Sequence, residues 1–174
     1  MSAACSLLAH DRSPWFGVRT KSNFEKVAAS VLQAKGLEAY VPLYRSRRRW
    51  SDRIVTMDLP LFPGYLFCRF DWRHRMPVMT APGVVSIIGF GDDPEPIPDD
   101  EIEAVRRVLA SGQASEPHLF LREGQRVRVN YGPLEGIEGI LLKKKSNWRL
   151  VISVNLLQRS LAVEVDRDWV TTLA

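Results

Sequence analysis

Hydrophobic positions follow two different rhythms along this chain, with the change near residue 111. In the first part, extended apolar runs are interrupted by two stretches of helical spacing. Trp15 to Thr20 predicts a first strand. Ser22-Asn23-Phe24-Glu25 then has the form of a capping box, with Ser22 accepting from a backbone N–H and Glu25 reaching back to the cap. Phe24, Val27, Ala28, Val31 and Leu32 recur at helical spacing, and Gly36 closes that helix. Glu38 to Tyr44 predicts a second strand.

Ile54 to Leu59 is extended again, and Ser51-Asp52 predicts the turn of a long hairpin. Tyr65 to Phe70 is the next strand, entered through Pro60 and Pro63. A short helix is expected around Arg73 to Thr80, then a strand over Val84 to Phe90. Pro98 and Asp99 open a last helix with Ile102, Val105 and Leu109 on one face. The order β-α-β-β-α-β plus a final helix predicts a ferredoxin-like antiparallel sheet within an α+β fold, with helices on one face and the other free for partners.

Ser111 to Pro117 is small, polar and broken by proline, so it predicts a linker. Beyond it come short strands separated by turns: Arg126 to Val129, Ile137 to Leu142, Leu150 to Val154, Leu161 to Val165 and Trp169 to Thr172. Strands this short suggest a small closed barrel, since closure removes exposed edges. The expected organisation is a first domain over 13–110, a linker over 111–119 and a barrel over 120–174.

Composition narrows the function classes. The 174 residues hold 24 Lys+Arg against 20 Asp+Glu, a formal charge of +4. That surplus favours polyanions only where it is concentrated. Cys5 and Cys68 form no CxxC pair, and Cys68 sits in an apolar run as a small buried hydrophobe. The N-terminus lacks the basic and apolar regions of a signal peptide, and no run reaches the ~18 apolar residues of a membrane span. A soluble cytoplasmic protein, monomeric and away from membranes, is expected.

No phosphate loop, HExxH or GxSxG motif is present, and Gly89-Phe90-Gly91 does not extend to a dinucleotide fingerprint. His10, His74 and His118 are far apart and read as solvated side chains. Asp92-Asp93 reads as a loop, and Asp99-Asp100-Glu101 suits a helix N-terminus. A non-catalytic protein without cofactor or metal is therefore expected.

Two segments carry a stronger signal. In PLFPGYLF, Pro60 to Phe67, strand alternation sends Tyr65 and Phe67 to one face and Leu66 and Cys68 to the other. With Trp15, Phe62 and Phe90 nearby, the aromatics form either core or an apolar docking patch. In GQRVRVNYGPLEGIEG, Gly124 to Gly139, arginine alternates with valine and glycines follow at 132, 136 and 139, as tight barrel turns require. Between them lies the run Arg45, Arg47, Arg48, Arg49 and Arg53 with Trp50. Charge runs are usually solvated surface, but cations beside an aromatic on a projecting hairpin also fit phosphate contact and base stacking.

In this order the two segments resemble the NusG family of transcription elongation and antitermination factors, and GFGDDPEPIPDDEI, Gly89 to Ile102, adds to the resemblance. The resemblance implies an N-terminal domain with an FPGY-type strand and an SH3-like KOW barrel. It also implies docking on the clamp helices of the RNA polymerase β′ subunit through Trp15, Phe62, Pro63, Gly64, Tyr65, Phe67 and Phe90.

LPLFPGYLFCRFD, Leu59 to Asp71, and Asn155-Leu156-Leu157 are similar to specialised paralogues of the RfaH kind. Lys21 matches a lysine on the DNA-facing side of those proteins, which implies contact with DNA of the elongation complex. On their charge and aromatic pattern, Arg45, Arg47, Arg48, Arg49, Trp50 and Arg53 are expected to contact nucleic acid there too, upstream or non-template DNA. The barrel loop, with Leu156, Leu157 and Arg159, would meet Rho or a small-subunit ribosomal protein. Here it reads Leu157-Gln158-Arg159 where the general factor has Phe-Gly-Arg, and the His-Thr-Thr of RfaH is absent near Met76-Pro77-Val78.

Two alternatives stay open: an RRM-like RNA-binding protein, since Gly64-Tyr65-Leu66-Phe67 partly matches an RNA-stacking strand, and a ribosome-associated KOW protein. In the second half, β-branched Val151, Ile152, Val154, Val163 and Val165, with Gly132, Pro133, Gly136 and Gly139, favour a stable barrel over a helical alternative.

Overall fold

The computed structural model describes residues 13–90, 93–121 and 124–174. Cys5, His10 and Asp92 lie outside the described residues, as does the side chain of Phe90. The chain divides into two compact units. One comprises the chain through Val41 with Phe62–Asp99, the other Pro42–Leu61 with Asp100–Ala174.

The first unit is built on β1 (Trp15–Thr20), α1 (Glu25–Ala34), β2 (Glu38–Tyr40), β5 (Tyr65–Arg69), α2 (Met76–Met79) and β6 (Val84–Ile87). Its antiparallel sheet runs β2-β5-β1-β6, the strand order expected of the ferredoxin-like arrangement. β7 (Gly89–Phe90) and β8 (Asp93–Pro94) pair as a small ribbon, and β9 (Pro96–Ile97) pairs with β1 at Trp15 and Phe16. Phe16, Val18, Leu66 and Cys68 alternate onto one sheet face and meet Ala28, Ala29 and Leu32 of α1 in a continuous buried cluster. Burying the larger of these, Phe16, Val18, Leu66 and Leu32, is worth roughly 1.5–3 kcal/mol each, which outweighs the modest propensity of any one element.

Local chemistry differs from expectation in several places. The capping box does not form: Phe24 is the N-cap, no side chain caps α1, and Asn23 adopts φ +68°. Glu25 is instead drawn inward, only 3% exposed. The predicted second strand splits at Val41-Pro42, because proline has no N–H to donate to a ladder. The weak helix expected over Arg73 to Thr80 becomes a 3-10 turn at Trp72–His74, capped by the Asp71 side chain, followed by the single turn of α2 with Pro77 inside it. Ile88 interrupts the predicted strand over Val84 to Phe90.

The second unit contains the β3 (Leu43–Trp50) and β4 (Arg53–Pro60) hairpin, α3 (Asp99–Ala110) from Asp100 onward, and a six-stranded sheet. α3 buries Ile102, Val105 and Val108, a stripe at spacing three, so Val108 takes the place expected for Leu109. The sheet runs β10 (Ser115–His118), β14 (Arg159–Val165), β13 (Asn147–Val154), β12 (Glu138–Lys144), β11 (Gln125–Val129) and β15 (Val170–Thr172). Ser115–His118, within the stretch expected to be a linker, is thus a ladder strand, registered from Ser115 opposite Val163 to His118 opposite Ser160.

Leu150, Ile152, Leu161 and Val163 bury one face of this sheet, while Ile140, Val151 and Ala162 form a small cluster on the other, covered by Leu121 and Leu142. The result is a small β-barrel-like domain. Gly139 is required where β12 and β13 approach closely: a Cβ there would lie 2.5 Å from the Val151 carbonyl oxygen.

Candidate protein and nucleic-acid interfaces

The Phe62-Pro63-Gly64-Tyr65 turn is fixed through its backbone. Gly64 takes φ +82°, a conformation open to glycine, and both its polar groups are held. Its N–H donates to Glu25 Oε1 at 2.7 Å, and its carbonyl accepts from the Thr20 N–H at 2.8 Å. A buried carboxylate is tolerable here because it accepts a hydrogen bond from the partly buried Gly64 N–H. Nothing in the sequence pointed to Glu25 in this role.

From this turn β5 runs antiparallel to β1, with Tyr65 opposite Arg19, Phe67 opposite Gly17 and Arg69 opposite Trp15. The sheet face away from α1 therefore carries Trp15, Phe67, Tyr65 and Arg19. Phe67 lies edge-on to Phe62 at 6.0 Å and stacks with Tyr40 at 6.3 Å. The Arg69 guanidinium sits 4.9 Å over Trp15 and pairs with Asp99 at 2.9 Å.

Trp15, Phe62 and Phe67 are at most 2% exposed. The open face expected for partners is thus corrected: of the two readings of these aromatics, Trp15, Phe62 and Phe67 are core, with Phe62 and Tyr40 against Phe67 and Arg69 over Trp15. What stays accessible is a corner made by exposed Pro63, half-buried Gly64 and Tyr65, and exposed Arg19 and Lys21. The bond from Thr20 to Gly64 brings Lys21 beside the turn.

The hairpin is the opposite case. Eight residues pair with eight, from Leu43 opposite Pro60 to Trp50 opposite Arg53, and Ser51 turns the chain at φ +47°. Because directly opposed residues share a face, the register gives the ribbon two different sides. One carries Arg45, Arg47 and Arg49 with Asp58, Thr56 and Ile54. The other carries Ser46, Arg48 and Trp50 with Met57, Val55 and Arg53. Trp50 is 67% exposed, and all five arginines are exposed. Arg45 lies 3.8 Å from Asp58; among the described residues the other four have no ion-pair partner.

The barrel loop is only partly available. In the turn between β13 and β14, Leu157 is buried and Leu156 half-buried, and Arg159, the first residue of β14, is exposed. Glu101 of α3 grips the start of this turn, accepting from Asn155 Nδ2 at 2.7 Å and from the Asn155 N–H at 3.2 Å. Burial holds the Glu101 carboxyl above its ordinary range, a shift that the Asn155 bonds oppose. Farther along α3, Arg107 donates to the carbonyls of Glu135 and Pro133 at 2.6 and 3.3 Å. Polar residues on an amphipathic helix gave no sign of these contacts.

Burial pushes the Cys68 thiol up to about 12, so it is a packed hydrophobe rather than a nucleophile. Among the described residues, no three His, Cys, Asp or Glu side chains gather as a metal site, and no helix is long and apolar enough to cross a membrane.

A strand entered through Pro-Gly on a ferredoxin-like sheet and a glycine-rich barrel-like domain are the parts that the family resemblance implied. The family described as "Transcription termination factor nusG" matches residues 13–106, more than half of the chain. The chain belongs to the NusG family. NusG proteins named as transcription termination/antitermination proteins match across 87% of it: that of Escherichia coli K12 is 30% identical with 92% of its own length covered, and that of Thermus thermophilus is 27% identical with 94% covered. Thermotoga maritima NusG, from a structure described as "Domain interaction in Thermotoga maritima NusG", shares the fold at a TM-score of 0.57 and 20% identity, over 95% of this chain and 99% of that one. The protein is accordingly a transcription elongation and antitermination factor of the NusG type.

Proposed function

We propose that this NusG-family protein acts in the cytoplasm, without catalysis of its own, by docking on the clamp helices of the RNA polymerase β′ subunit. The contact is the corner of Pro63, Gly64, Tyr65 and Arg19. Trp15, Phe62 and Phe67 act beneath it as a rigid support. The observation that carries this reading is the clasped Gly64, whose two backbone bonds pre-set the direction of Tyr65 and so lower the ordering cost of binding. Phe90 belongs to the same proposed interface by resemblance alone.

Lys21 and the ribbon residues Arg45, Arg47, Arg48, Arg49, Trp50 and Arg53 contact nucleic acid of the elongation complex. Leu156 and Arg159 offer a smaller surface to Rho or a ribosomal protein, with Leu157 holding the loop from inside. The RRM-like alternative is disfavoured because Phe67, which would have to stack on a base, is 0% exposed.

The test is capture of polymerase by the folded Tyr65→Ala protein. Loss of an aromatic anchor is expected to cost ~2 kcal/mol or more of binding, about thirtyfold in Kd. Undiminished capture would remove the corner from the interface.

A further inference from the structure

The two sides of the β3–β4 ribbon differ in chemistry, and the difference names a ligand. Along one side, Arg45, Arg47 and Arg49 alternate down a single strand. At about 6.8 Å per two residues they span about 14 Å, a row suited to one polyanionic backbone. At the root of this side Arg45 and Arg47 line a groove of about 710 Å³, bounded also by Gly112, Gln113 and Ala114.

The other side ends in a platform. Trp50 lies directly opposite Arg53, with Arg48 opposite Val55 in the next pair of that side and Met57 opposite Ser46 beyond it. Trp50 and Met57 are 67% and 44% exposed. This side carries no acidic residue, and its two cations have no ion-pair partner among the described residues. A broad indole flanked by free guanidiniums suits a flat π-system that belongs to an anion.

We propose that the ribbon tip is a site for single-stranded nucleic acid, in which an unpaired base stacks on Trp50 between Arg48 and Arg53 while the Arg45-Arg47-Arg49 side holds the phosphates. Duplex DNA offers phosphates but no free base face, so it engages only the arginine row. The assignment rests on the proposed nucleic-acid contact of the hairpin and specifies which form of nucleic acid the tip distinguishes.

The test uses the full chain and anisotropy of labelled 12-nucleotide strands. The probes are base-bearing DNA, base-bearing RNA, an abasic DNA of equal charge and a DNA duplex. Trp50→Ala is expected to weaken binding to the preferred base-bearing strand about tenfold, with the abasic strand and duplex unchanged. Trp50→Phe should recover most of the loss. Arg47→Ala with Arg49→Ala should weaken all bound probes alike.

Equal losses on abasic and base-bearing strands, or no loss with Trp50→Ala, would overturn the stacking site while leaving the phosphate contact standing. Absence of wild-type binding to every probe would overturn both. If Trp50→Ala abolished capture of polymerase and left oligonucleotide binding untouched, the platform would be a protein surface and the proposal would be wrong.

Discussion

Strand β5 and the β3–β4 ribbon both carry aromatic residues beside arginine, yet the structure treats them in opposite ways. β5 lies between β1 and β2, so its side chains meet neighbours on both faces, and Phe67 ends fully enclosed. Among the described residues the ribbon pairs only with itself, and Trp50 at its tip stays 67% exposed. Arg69 on β5 is drawn over Trp15 and neutralised by Asp99, whereas Arg47, Arg48 and Arg49 project into solvent. Similar residues therefore build enclosed support in one place and an exposed surface in the other, and the neighbouring strands decide which.

Truncating the enclosed ring should separate the two regions most sharply. Phe67→Ala is expected to cost about 3–5 kcal/mol of stability through the cavity it leaves, while Trp50→Ala should fall within about 0.5 kcal/mol of wild type. Chemical denaturation of both variants checks this. Comparable losses would mean that the ribbon is a packed element and would break the contrast.

The clasp behind β5 comes next in size. Glu25→Ala leaves the Gly64 N–H without its partner and should cost about 1–3 kcal/mol, with partial recovery in Glu25→Gln, whose carbonyl can still accept. Thermal melts, paired with polymerase capture, would show whether the turn matters to binding beyond its share of stability.

On the ribbon, replacing Arg47, Arg48 and Arg49 together with Ala should leave the melt unchanged. The slope of log affinity against log salt should become shallower by roughly 0.7–0.9 for each phosphate that the variant no longer neutralises. A titration over salt concentration reads this directly, and an unchanged slope would return the run to plain solvated surface.

The smallest effect concerns Cys68. With its thiol held near 12 by burial, the reactive thiolate is scarce at every pH below that value, so deprotonation offers no route to modification of the folded protein. In a Cys5→Ser background, a thiol reagent at mildly alkaline pH should label Cys68 only on unfolding. Prompt labelling would show that the β5 core opens as readily as the ribbon.

Much of this was legible in the sequence because it depends on local pattern. Strand alternation placed Leu66 and Cys68 against the helix, Ser51-Asp52 marked the hairpin turn, and the valine-rich runs placed the barrel strands. The rest depended on contacts distant in sequence. Glu25 reads as a cap residue until Gly64, 39 positions away, offers a donor. Trp15 and Phe67 read equally as patch or core until Phe62, Tyr40 and Arg69 close over them. The Glu101–Asn155 contact, 54 residues apart, leaves no periodic trace at all. Ser115 to His118 looked like linker because its residues are polar, and only pairing with β14 makes it a strand.

The division of labour between the Tyr65 corner and the ribbon is tested most directly by equilibrium binding to elongation complexes assembled with and without upstream DNA. Tyr65→Ala should lose affinity for both complexes. The triple arginine variant should bind the DNA-truncated complex as wild type does and lose affinity only where DNA is present. If both variants lost affinity equally on the two complexes, or if Tyr65→Ala bound each as wild type does, the account of two separate interfaces would be contradicted.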